Sequence, residues 1–177
     1  MRTGSMDAGS MDAGRADAGA CREALEALIS EETSSLDELA ALLAAEHGLL
    51  VANDVDALGA AMQKRQLTVG RLLTIDSERR AICRAHGRTA DTQGLEQLMG
   101  WCDPQGSLLS RWEKCASSAT HCREMNDRNG ALVTARMRRV ETMLGALTGQ
   151  PREPASTYGP KGAYGTARSG RVVSTEA

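Results

Sequence analysis

The sequence predicts an all-α protein: an elongated antiparallel helical bundle, or coiled coil, of long helices with disordered N- and C-terminal tails. Three observations carry this. Apolar residues recur at intervals of three and four along most of residues 21–148, the spacing of one helical face. Glycine and proline gather at a few boundaries between these runs, where they end helices. The 177 residues hold no Phe, two Trp and two Tyr, so burial must rest on Leu, Met, Val, Ile, Ala and Cys, which suits thin helical packing.

Residues 1–20 read GSMDA, GSMDA and GRADA after a short lead, small and acidic units with little to bury, and are expected to be a disordered leader. The helical domain is expected over 21–150. Its first helix, 21–52, carries Cys21, Leu25, Leu28, Leu36, Leu39, Leu43 and Leu50. A tight turn follows, because Asp54 is a good N-cap for a second helix, 55–86, bearing Leu58, Met62, Val69, Leu72 and Ile82. Gly87 then supplies a left-handed C-cap. A short helix, 95–102, stops at Asp103-Pro104-Gln105-Gly106, a strong turn signal. The last helix, 107–148, is the longest, and Pro151 and Pro154 forbid its continuation. Residues 151–177 are rich in Gly, Ser, Thr, Pro and Arg and form an expected flexible tail.

Several function classes are disfavoured. A net charge of −2 gives no electrostatic footprint for nucleic acid, and Arg136, Arg138 and Arg139 lack interleaved aromatics. The five cysteines are odd in number and contain no CxxC pair, and His47, His86 and His121 each stand alone, so no metal site, cofactor or disulfide framework is expected. No apolar run approaches a membrane span, nor does the N-terminus resemble a signal peptide, which points to the cytoplasm. Nothing looks like an active site. Binding is the class that remains.

Charge divides unevenly: the first helix is rich in Glu and Asp, the last in Arg. Antiparallel docking of these two helices would bring opposite signs together. Within the last helix lies a puzzle, the stretch CREMNDRNGALV at 122–133. Asn and Asp compete with the helical backbone, and Gly costs roughly 1 kcal/mol relative to Ala. Asn126 and Asn129 fall on the same seam as Cys122 and Val133, where a polar residue fixes register, while Gly130 permits close approach of another helix. Beyond them, Val133, Met137, Val140, Leu144 and Leu147 form an apolar stripe that either packs on the other helices or anchors a partner helix.

Together, MNDRNGALV, the amphipathic run to Leu147 and the segment STYGPKGAYG resemble the FlgN family of flagellar type III export chaperones. The acidic, leucine-striped first helix with Glu46 and Asp54, the second helix with Lys64 and Arg79-Arg80, and the Trp-containing connection fit the same pattern, which covers roughly residues 21–166. The MDAG repeats and the residues after Gly165 depart from it. The resemblance implies a non-catalytic cytosolic chaperone. It would hold the C-terminal helical segments of the hook-filament junction proteins FlgK and FlgL, prevent their premature assembly and deliver them to the export gate protein FlhA. The last helix would carry the cargo surface, here Met125, Asn126, Asn129, Gly130, Val133, Met137, Val140, Leu144 and Leu147. A tail tyrosine, by motif Tyr158, would dock on the gate.

Two rival readings come from other classes. A structural, self-associating coiled coil would satisfy the same seam with a second copy. A phosphotransfer bundle would use His47, but Gly48-Leu49-Leu50 beside it supply no basic residue for a phosphoryl group.

Overall fold

The computed structural model describes the backbone of residues 7–148 and the side chains from Asp17 onward. Four helices make it up: α1 (Asp7–Ala52), α2 (Val55–Ala85), α3 (Thr92–Cys102) and α4 (Ser107–Thr148), with no strand among the described residues. α1 begins ahead of Cys21, so the leader from Asp7 to Ala20 is helical backbone. Its alanines and Met11 are good helix formers, and tertiary contacts start before Cys21: Ala18 packs on the core, and Asp17 Oδ2 lies 3.8 Å from His86 Nδ1.

The turns are built by their residues. At the end of α1, Asn53 adopts a left-handed φ of 61°, its amide donates to the Leu50 carbonyl, and the Asp54 amide donates to Leu49. That is a Schellman closure with Asn in the glycine position. Asp54 then serves the next helix, its carboxylate accepting from the Ala57 amide at 3.0 Å. α2 ends the same way: Gly87 has φ 66°, and the Arg88 amide donates to Cys83. α3 starts at Thr92 rather than Leu95, because Asp91 caps it through the Gly94 amide. A Cβ on Gly94 would sit 2.0 Å from the Thr89 carbonyl oxygen, so the connection can pass there only over glycine.

Interhelical pairs give the direction of each helix. α2 runs antiparallel to α1: Arg79 Nη1 meets Glu32 at 2.5 Å, Arg71 meets Glu31, and Arg65 Nε lies 3.1 Å from Glu46 Oε1. α4 runs antiparallel to α2, with Arg79 over the Trp112 ring at 4.4 Å and Arg65 donating to Asn126 at 2.8 Å. Against α1, however, α4 is parallel: Glu26 pairs with Arg111, the Leu36 carbonyl with Cys122, and the Leu43 carbonyl with Asn129. This corrects the expected antiparallel docking of the first and last helices. α2 returns the chain to the end where α1 enters the core, and α3 and its turns keep it there, so α4 can only leave in the direction of α1. The acids of α1 accordingly find their arginines chiefly on α2.

Two apolar clusters fill the interior. The lower one joins Cys21, Leu25 and Ile29 of α1 to Cys83, to Leu95, Leu98, Met99 and Cys102 of α3, and to Leu108. The upper one joins Leu36 and Leu43 to Cys115, Cys122 and Met125. Trp112 touches both, and Leu25, Ile29, Leu43, Ile75 and Leu98 are fully buried. Each such side chain contributes about 1.5–3 kcal/mol through removal from water. All five cysteines are buried and free and act as small core residues; for Cys21 and Cys122 this follows from their place on an apolar stripe.

Candidate functional site

The chain divides into two units, Met1–Ala135 and Arg136–Ala177, and α4 contributes to both. In the first, Leu108, Cys115, Cys122, Met125 and Asn129 lie on the buried face of α4. Asp103 sets the start of this helix: its Oδ2 accepts from the Leu108 amide at 2.7 Å and from the Ser107 hydroxyl at 2.8 Å. Those bonds, the backbone one foremost, hold its carboxyl below the usual range, with Arg22 adding to the effect.

The two asparagines of the unusual stretch bind α4 to both long neighbours. Asn129 is 6 % exposed; its Nδ2 donates to the Leu43 carbonyl at 2.9 Å, and its Oδ1 stands 2.9 Å from His47 Nδ1. Because the amide nitrogen is committed to a carbonyl, the oxygen must accept, which assigns the proton to His47 Nδ1. Asn126 Oδ1 accepts from Arg65, whose Nε reaches the buried Glu46. Glu46, His47, Arg65, Asn126 and Asn129 thus join three helices through polar side chains. Sliding α4 by one turn would strand several of these groups, so the arrangement fixes register. Gly130, by contrast, has nothing within 4 Å of where a Cβ would stand; no helix of the described chain approaches it.

After Asn129 the same seam emerges from the core. Val133 is 39 % exposed at the end of the first unit. In the second unit, Arg136–Thr148 is helical, with Met137, Val140, Leu144 and Leu147 exposed, Val140 at 55 % and Leu147 at 83 %. Met143 belongs with them, three residues after Val140 and also exposed. Sequence reasoning passed over it, although its spacing was the available signal. The nine cargo candidates therefore divide: Met125 and Asn129 are buried in the bundle, Asn126 is tied to Arg65, and Gly130, Val133, Met137, Val140, Leu144 and Leu147 are exposed. Tyr158 lies outside the described residues.

Elsewhere, a recess of about 410 Å³ is lined by Asp76, Arg79, Arg80, Asp91 and Trp112 among others. Its charges satisfy one another: both arginines pair with Asp76, Arg79 also with Glu32, and Asp91 caps α3. No group of His, Cys, Asp and Glu suited to a metal occurs among the described residues. No described helix is long and apolar enough to cross a membrane.

Neither a curated protein nor a solved structure matches the chain. A family model described as FlgN protein matches residues 22–166, a span that takes in all of α2, α3 and α4 and most of α1. With that match over most of its length, the chain belongs to the FlgN family of flagellar export chaperones.

Proposed function

We propose that this chaperone works in the cytoplasm, without catalysis, by holding the C-terminal helical segments of FlgK and FlgL, preventing their early assembly and delivering them to FlhA. The observation that carries the reading is the apolar stripe on Arg136–Thr148, a helix whose Met137, Val140, Leu144 and Leu147 all face water. Exposed apolar faces of this kind mark interaction sites, and an amphipathic helix is buried on one by i, i+3, i+4 anchors. Val133 and Met143 extend the contact. Met125, Asn126 and Asn129 serve it by holding α4 in register, and Gly130 leaves room for a partner backbone. Tyr158, in the motif Thr157-Tyr158-Gly159, presents the loaded chaperone to FlhA.

Light scattering after gel filtration, with the chain mixed with the C-terminal helical region of FlgK or FlgL, tests this directly. A stoichiometric complex that disappears on Val140→Asp with Leu144→Asp supports both the role and the surface. A complex indifferent to that change would move the surface elsewhere, and no complex with either cargo would refute the role. Tyr158→Ala is expected to keep cargo and lose the FlhA cytoplasmic domain.

A further inference from the structure

We propose that the outward face of α2 joins two copies of this chain, antiparallel, about a two-fold axis at Gly70. Thr68, Ile75 and Cys83 turn α2 toward the core. On a helix of 3.6 residues per turn, Gly59, Gln63, Gln66, Gly70, Thr74 and Ser77 run along the opposite side, with Leu67 on one flank and Leu73 on the other. All of these are exposed, Leu67 by 77 % and Leu73 by 67 %, and a Cβ on Gly59 or Gly70 would meet nothing within 4 Å. Val55, Met62 and Val69, exposed as well, widen the apolar strip on the side of Leu73. The side of a surface helix turned from the core is ordinarily its charged side, yet between Asp56 and Arg84 this face carries no charge.

The order of residues about Gly70 chooses a second copy as the occupant. Gly70 is the middle residue of α2, so two copies crossing there antiparallel overlap along the whole helix, about 46 Å. Positions equally distant from Gly70 then face each other: Leu67 meets Leu73 of the second copy, Gln63 meets Ser77, and Asp56 meets Arg84. Lys64 and Glu78, both on the Leu67 flank, come within a turn of each other across the pair. Asp56, Lys64, Glu78 and Arg84 are exposed, and their side chains make no hydrogen bond or ion pair among the described residues. In the two-fold pair each acid finds a base; in a parallel pair each of the four would stand beside its own copy, like against like. Arg71 approaches its own copy near the axis, but each is already neutralised by Glu31. Residues 149–177 offer no matching stripe, since Val172 and Val173 are their only adjacent large apolar residues. The pairing uses no residue of Arg136–Thr148, so it stands or falls apart from the chaperone reading.

Sedimentation velocity of the full-length chain, over a concentration series reaching about 100 μM, is expected to show a reversible dimer with a Kd on the order of 10 μM. Leu67→Asp with Leu73→Asp, at exposed positions, is expected to give a monomer with unchanged circular dichroism. Lys64→Glu sets like charges together at both ends of the pair and is expected to weaken the dimer about tenfold, and adding Glu78→Lys is expected to restore it. A parallel pair would respond to neither change, because each residue there faces its own copy. A parent that stays monomeric throughout the series would overturn the proposal. So would a dimer that survives the leucine changes, or one that dissociates instead on Val140→Asp with Leu144→Asp. Loss of the dimer on the leucine changes, beside indifference to Lys64→Glu, would overturn the antiparallel register.

Discussion

His47 Nδ1 and Asn129 Oδ1 stand 2.9 Å apart, eighty-two positions apart in sequence, and join α1 to α4 where they run parallel. The same Asn129 amide reaches the Leu43 carbonyl, one helical turn before His47. A polar residue that costs helix propensity thereby aligns the two longest helices.

Replacing it should show this. Asn129→Ala leaves the buried Leu43 carbonyl and the half-buried His47 Nδ1 without their partner and is expected to lower stability by about 1–3 kcal/mol. Asn126→Ala, which loses an exposed bond from Arg65, is expected to change it by less than about 0.5 kcal/mol. Urea unfolding followed by circular dichroism separates the two; equal effects would contradict the register role of Asn129.

Gly94 and Gly130 are both helical glycines, yet alanine should act on them with opposite signs. Gly94→Ala drives a Cβ into the Thr89 backbone and is expected to destabilise by about 2 kcal/mol or more, because the connection itself must shift. Gly130→Ala meets open space and is expected to stabilise the chaperone by about 0.5–1 kcal/mol. Thermal melts of the two variants decide this. If cargo backbone lies against Gly130, the more stable variant will also bind cargo less tightly.

Asp103 makes stability depend on pH in a definite direction. Its folded carboxyl is held below the ordinary value of about 3.9, so its contribution is full above that value and is lost as pH falls through the lowered one. Asp91, capping α3 through the Gly94 amide, behaves the same way. Asp103→Asn can still accept from Leu108 but cannot titrate. Urea midpoints measured from pH 6 down to pH 2 are therefore expected to fall less steeply than in the parent; parallel curves would remove Asp103 from the acid response.

The thiols should be silent until the fold opens. Burial pushes Cys21 up to about 12 and raises Cys83, Cys102, Cys115 and Cys122 above the usual thiol value. A disulfide reagent that needs thiolate is therefore expected to label none of the five in the native protein at pH 8, and all of them in denaturant. A fast-reacting cysteine under native conditions would reveal local opening of its cluster.

Sequence by itself determined the helices, the turns at Asn53-Asp54 and at Gly87, and the core place of the cysteines that lie on an apolar stripe, Cys21 and Cys122 among them. Each is a local matter: a 3.6-residue period, a capping side chain or a left-handed backbone is written in a few neighbouring positions. Tertiary structure alone decided which helices lie side by side and in which direction. The α1 acids pair chiefly with Arg65, Arg71 and Arg79 of α2, because α3 turns the chain so that α4 leaves parallel to α1. It also decided where the α4 seam ceases to be core. From Leu108 to Leu147 the spacing is nearly uniform, yet Met125 and Asn129 are buried and Val140 and Leu147 face water. Periodicity states only that a face is apolar, and it does not state what covers that face.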